Sequence, residues 1–218
     1  MNISSFLLKN KKKTKGFTLI ELLVVVAILI IMTSISMFNY DEFGKFTELE
    51  NDTYLLALSI REAQVYGVNK KSREATEIEF GESYSYGVYF NKTTDVTGVD
   101  STKFILYVDG LRNDSTINLK FSDLGATNCT AVGNDECFSQ IEFKKGNKIK
   151  ELKVHDSTSW NVVDEIDIQF RRPNPDALIK SAGVSYGRAR IIIEDKFSTF
   201  ERCVEVGSAG DISIRSNC

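Results

Sequence analysis

The sequence predicts an α+β protein: one long N-terminal helix, its first half membrane-spanning, packed against an antiparallel β-sheet head. Three observations carry this prediction. An uncharged apolar run without Gly or Pro fills residues 22–38. Apolar residues then recur at spacings of three and four, the period of a helix with one buried face. Beyond residue 70 come short β-branched and aromatic segments divided by Gly, Asn, Asp and Ser, the pattern of strands and turns. A chain of 218 residues is long enough for one head with a single core.

The first element is a basic leader. Lys9, Lys11, Lys12, Lys13 and Lys15 lie within residues 1–16, which contain no acid. Residues 17–218 hold 22 basic and 30 acidic residues and so carry −8. An acidic chain of this kind argues against nonspecific nucleic-acid binding through overall charge. The second element is the run LLVVVAILIIMTSISMF, within a span placed at 17–38. From Phe17 to Met37 it gives about 31 Å of helix, close to the hydrocarbon thickness of a bilayer. The lysines precede it, so the positive-inside rule places the leader in the cytoplasm and the head outside. A cleaved secretory signal has a shorter apolar core that closes on small residues, and no such site ends this run. A plain signal anchor fits better, apart from Glu21.

Glu21 is a carboxylate near the cytoplasmic end of the span, followed by the seventeen residues of the uncharged apolar run 22–38. Ionisable groups in membrane helices are costly and usually mark function. The surrounding string KGFTLIELLVVVAI, residues 15–28, closely resembles the signal of type IV prepilins and pseudopilins. The resemblance implies cleavage between Gly16 and Phe17 by a prepilin peptidase and N-methylation of the new Phe17 amine. It also implies that Glu21 pairs with the Phe17 amine of a neighbouring subunit during assembly. Implied partners are other pilin or pseudopilin subunits, the peptidase/methyltransferase, an inner-membrane assembly platform and, before assembly, membrane lipid. Many pilins carry a proline within the apolar segment, whereas this chain has none before Pro173. Gly44 and Thr33-Ser34 are therefore the expected weak points of the helix.

The helix is expected to continue amphipathically over 39–69. Leu49, Thr53, Leu56, Ile60 and Ala63 form its apolar face, widened by Leu55 and Leu58. Glu48, Glu50, Asp52, Arg61 and Glu62 fall elsewhere on the wheel, and Gly67 and Asn69 are stop signals. The head, 70–218, is expected to contain strands at 76–80, 84–90, 103–108, 116–121, 138–143, 148–154, 162–170, 189–194, 203–206 and 211–215. Lys144-Lys145-Gly146-Asn147 reads as a hairpin loop. Within the pilin families, LALSIREAQVYGV (56–68), the strand at 86–90 and the segment 170–176 resemble the minor H-like (FimT-like) pseudopilins.

Four cysteines, Cys129, Cys137, Cys203 and Cys218, all follow the span, on the side where disulfides persist. Three connectivities are possible. Pairing Cys129 with Cys137 and Cys203 with Cys218 is the simplest, because each pair brackets a short loop. Closing a loop through Cys218 also resembles many pilins. No C-x-x-C occurs and His155 is the single histidine, so a zinc site is not expected. His155-Asp156-Ser157 are consecutive and poorly placed to converge as a triad. No nucleotide or hydrolase fingerprint is present. The acids at 95–100 and 134–136 lack EF-hand spacing and read as solvated loops. Trp160 reads as core or edge. Arg171-Arg172 and Lys144-Lys145 are small basic spots, weak grounds for DNA binding. No enzyme activity, cofactor or metal is expected. The expected function is a structural subunit of a type IV pilus-like or secretion filament, membrane-anchored first and in a cell-envelope filament later. The alternative is a filament-tip module for DNA uptake or adhesion.

Overall fold

Helix α1 spans Leu19–Asn69, 51 residues without a break. The computed structural model describes residues 16–69, 85–93, 99–109, 137–171 and 173–218. The chain divides into two compact units, Met1–Phe43 and Gly44–Cys218.

In the first unit, the side chains described from Leu19 to Met37 are all exposed, and nearly all are apolar. A helix apolar on every face belongs in lipid or against other helices. Among the described residues α1 is the helix long and apolar enough to cross a bilayer, which suits single-pass anchoring. Its hydroxyls are absorbed by the backbone. Thr33 Oγ1 donates to Leu29 O (2.8 Å), Ser34 Oγ to Ile30 O (2.8 Å) and Ser36 Oγ to Met32 O (3.2 Å). Such back-bonding removes the cost of a hydroxyl in lipid. The chain stays helical at Thr33-Ser34 and at Gly44.

In the second unit, the remainder of α1 packs on a β head, giving the α+β layout. The strands are β1 (Ser85–Asn91), β2 (Lys103–Asp109), β3 (Cys137–Glu142), β4 (Lys148–His155), β5 (Trp160–Val163) and β6 (Glu165–Arg171). They continue as β7 (Ala177–Ser181), β8 (Val184–Tyr186), β9 (Arg188–Glu194), β10 (Glu201–Gly207) and β11 (Ile212–Arg215). They form two antiparallel sheets. One has the order β3-β2-β1-β6-β7-β8 and the other β11-β10-β9-β4-β5. The expected strands at 76–80 and 116–121 lie outside the described residues.

Three expectations need correction. The single strand expected at 162–170 is two, because the chain changes sheets at Asp164: β5 pairs with β4, and β6 with β1. Val163 packs toward the same core as Ile166, Ile168 and Phe170. That three-residue step from 163 to 166 breaks the period of two, so no single strand could place all four inward. Likewise Lys144-Lys145-Gly146-Asn147 is a 3-10 turn between sheets, since β3 and β4 belong to different ones. It is not a hairpin. Strands β7 and β8 have no counterpart among the expected elements; the loop-like stretch before them, with Pro173 and Pro175, masks them.

One cluster unites Leu49, Leu56, Ile60 and Ala63 of α1 with Val88, Phe90, Phe104, Ile168 and Phe170 of the first sheet and Leu152, Ile191, Ile193, Val204 and Val206 of the second. The helix thus fills the angle between two apolar sheet faces. Leu58 is 65% exposed and does not widen the buried face. Asp52, expected outside that face, is buried. Its Oδ2 accepts the Lys144 N–H (3.0 Å) and Asn147 Nδ2–H (2.8 Å), which pins the helix to the inter-sheet turn. Burial raises the Asp52 carboxyl above its ordinary range, and the Asn147 and Lys144 hydrogen bonds offset only part of that rise.

Gly67 does not stop the helix, which runs to Asn69. A Cβ there would lie 2.5 Å from Phe170 O, so Gly67 is what lets α1 approach β6. Ala would gain about 1 kcal/mol of helix propensity, but overpacking against a backbone carbonyl costs about 3 kcal/mol. Gly67→Ala should therefore lower Tm by roughly 4–8 °C in a thermal scan. An unchanged or raised Tm would show that the helix shifts freely on the sheet.

Candidate functional site

The candidate site is the start of α1. Helix starts leave four N–H groups without intrahelical partners, and Thr18-Leu19-Ile20-Glu21 has the spacing of a capping box. Thr18 precedes the first helical residue, and its oxygen Oγ1 accepts the Glu21 N–H at 3.3 Å. In return Glu21 Oε2 accepts the Thr18 N–H and the Thr18 hydroxyl, both at 3.3 Å. Leu22 N–H bonds Thr18 O at 3.2 Å, the first turn of the ladder. The signal for this reciprocal box is T-x-x-E, which the reading of Glu21 as an intermolecular partner overlooks. Its carboxylate also sits where the helix dipole favours negative charge.

Gly16 and Phe17 precede this turn outside regular structure, both exposed, Phe17 at 82%. A Cβ on Gly16 would meet nothing within 4 Å. The structure therefore gathers Gly16, Phe17 and Glu21 into one short exposed stretch. The peptide bond between Gly16 and Phe17 is accessible, and the Glu21 carboxylate lies within a turn of it. Nucleophile, base and metal-ligand sets are not assembled in this stretch. It offers an exposed peptide bond and one carboxylate.

The other candidate residues lie in the head. Cys203 and Cys218 are joined, with Cα atoms 5.9 Å apart. Cys137, at the start of β3, is also disulfide-bonded, and its expected partner Cys129 lies outside the described residues. The Cys203–Cys218 link should contribute about 3 kcal/mol through loop closure. Replacing both by Ser should thus lower Tm by roughly 6–12 °C; a change below about 2 °C would leave this loop without a stabilising role.

His155, Asp156 and Ser157 do not form a triad. Asp156 Oδ1 accepts the Thr158 and Ser159 N–H groups (3.0 and 2.9 Å), and its Oδ2 accepts Asn161 Nδ2–H (2.9 Å). His155 Nδ1 instead accepts the Ser157 N–H at 3.2 Å. Asp100 likewise serves its own loop, accepting the Thr102 N–H (2.8 Å) and hydroxyl (2.6 Å). Among the described residues no cluster of three His, Cys, Asp or Glu could hold a metal.

One grouping has no sequence signal. Glu205, buried on β10, receives Arg188 Nη1 at 2.7 Å, Arg190 Nη2 at 3.0 Å and Arg215 Nε at 3.3 Å. Arg190 also stacks on Trp160, 4.1 Å from the ring centre. His155 meets the same ring edge-on at 5.0 Å. Burial by itself would raise the Glu205 carboxyl, but the bonds from Arg188 and Arg190 and the Arg215 charge outweigh it and hold it low. The cluster depends on cross-strand register, so single-strand reading could not find it.

Residues 11–37 match the family model of the prokaryotic N-terminal methylation motif. No curated protein and no solved structure matches the chain. With the exposed stretch at Gly16-Phe17, the capped helix start and the apolar helix behind it, the chain carries the methylation signal of a type IV pilin-like substrate of prepilin peptidase.

Proposed function

We propose that this chain is a minor pseudopilin or minor pilin, a structural subunit of a type IV pilus-like or secretion filament. In this reading it is inserted with residues 1–16 in the cytoplasm, cut after Gly16, methylated at Phe17 and drawn into the filament by its helix. The single observation that carries the reading is Glu21 at the start of a helix whose following residues are apolar on all faces, within the methylation motif. Such a helix is insoluble alone and is satisfied by lipid or by like helices, and a repeating contact that does not close generates a filament. Glu21 would then set the axial register by pairing with the Phe17 amine of a neighbour. The head's role is to decorate that core. The reading is tested by shearing filaments from cells and probing the released fraction for this chain. Its presence there in a prepilin-peptidase-dependent manner is expected, and its confinement to the membrane fraction would reduce it to an anchored protein.

A second reading, a filament-tip binding module for DNA uptake or adhesion, is favoured by the face that unites Trp160, His155, Arg188, Arg190 and Arg215. Glu205 and the Cys218 backbone oxygen already occupy much of the arginine bonding capacity, so the structural reading is preferred. Salt-sensitive DNA binding that disappears in Arg188→Ala would reverse this preference.

A further inference from the structure

We propose that the head rests on the bilayer surface through a lysine-flanked, aromatic end formed by the turns at 144–146 and 195–200 around Lys45 and Phe46. The inference builds on the membrane-anchor reading and adds a second, peripheral lipid contact made by the head itself. The turn between β9 and β10 is built to present one ring. Buried Asp195 accepts the Phe197 N–H at 3.1 Å and the Thr199 and Phe200 N–H groups at 2.6 Å each. This locks the backbone while Phe197 stays 62% exposed. A large exposed apolar side chain on a rigid turn avoids most of the entropy cost of ordering when it meets an apolar phase.

The surroundings of that ring are cationic. Lys45 Nζ lies 4.3 Å and Lys196 Nζ 5.9 Å from its centre. Phe200 packs edge-on to Phe46 at 5.7 Å, and Arg202 stacks over Phe46 at 4.8 Å, which fixes this stretch of α1 to the turn. The second turn adjoins it. A Cβ on Gly146 would touch the Lys196 side chain at 3.2 Å, and Lys145 pairs with Glu48. Of the acids here, Asp52 and Asp195 are buried, Lys145–Glu48, Lys148–Glu194 and Lys150–Glu201 neutralise themselves, and Glu42 is exposed one helical turn before Lys45. An exposed ring flanked by Lys45 and Lys196 has the composition of a membrane-interface anchor.

Chain connectivity chooses the occupant. Lys45 follows Phe38, the last apolar residue of the span, by seven residues. Even fully extended, that tether reaches only about 25 Å. While the span is in lipid, Lys45 and the turn it touches are thus confined near the bilayer. The partner that fits is an anionic lipid surface, with Phe197 in the interfacial layer and the lysines on phosphates.

The test uses full-length chain reconstituted into phosphatidylcholine vesicles containing brominated acyl chains, with and without phosphatidylglycerol. Phe197→Trp places a fluorophore on the turn. Native Trp160 is the internal control: it pairs with His155, at the far end of β4 from Lys148, about 23 Å along the strand. The emission that Phe197→Trp adds over wild type should be quenched in anionic vesicles. Lys45→Glu combined with Lys196→Glu should restore it. Quenching should also weaken at about 1 M salt, where the Debye length is about 3 Å. Vesicle flotation with no quenching at position 197 in either lipid overturns the head contact and leaves the anchor standing. Equal quenching at positions 160 and 197 also overturns it, as nonspecific adsorption. Failure to float defeats the anchor reading and this inference together.

Discussion

Glu21→Gln should yield a protein that is inserted and cut normally yet enters filaments at a small fraction of the wild-type level. In the proposed assembly the Phe17 amine of the neighbouring subunit would lose its carboxylate in a low-dielectric core. An unpaired buried charge costs about 3–5 kcal/mol, roughly two to four orders of magnitude in an equilibrium. The capping box makes Gln the more informative substitution. Gln at the third helical position can still reach back to the Thr18 N–H, so the helix start remains capped. Glu21→Ala loses both cap and charge, and Thr18→Ala removes the cap alone at about 1 kcal/mol. If assembly needs the charge, Gln and Ala both fail and Thr18→Ala passes. If it needs only the helix start, Gln passes. Sheared-filament yield measured beside membrane content in the same cells decides between them, and wild-type incorporation of the Gln variant would remove the register role. For a subunit that sits at a filament tip, with a neighbour on one side, the same defect should appear as fewer filaments.

A bulky residue at position 16, such as Gly16→Leu, should abolish processing, leaving the full precursor in the membrane. The structure separates this effect from folding, because a Cβ at Gly16 has open space around it and touches no described part of the fold. A processing defect would thus report recognition by the peptidase. Intact-mass analysis of membrane-extracted protein should show wild type beginning at Phe17 and heavier by one methyl group. The Leu variant should begin at Met1, and Gly16→Ala should be cut in part. Recovery of wild type with Met1 attached, from cells with active prepilin peptidase, would defeat the proposed pathway at its first step.

These two predictions concern the part of the molecule that sequence alone determined. The helix from Leu19, the span it contains, the charge step before it and the carboxylate within it are all local in the chain. Helical period, bilayer length and a contiguous motif each need only neighbouring residues, so they are legible without a fold. The same holds for Leu49, Leu56, Ile60 and Ala63, which the three-four spacing assigns to the buried face and which lie in the core. The capping box is equally local, since Thr18 and Glu21 stand three residues apart.

Tertiary structure decided everything that depends on which strand lies beside which. Strands are recognisable from composition, but a strand's pattern does not say which of two sheets it joins. The switch at Asp164 and the inter-sheet turn at 144–146 are therefore invisible until both sheets close on the helix. Asp52 reads as a solvated helix residue because its partners, Lys144 and Asn147, are 92 and 95 positions away. Gly67 reads as a helix stop because the Phe170 carbonyl that requires it lies in another element. Glu205 and its three arginines come from β9, β10 and β11, brought together by antiparallel register across a sheet face. Phe197 and Lys45 are 152 positions apart in the sequence, and their contact exists because a buried Asp195 holds the turn that presents the ring. Local periodicity encodes a helix and its span, whereas pairing of distant strands is a property of the closed core.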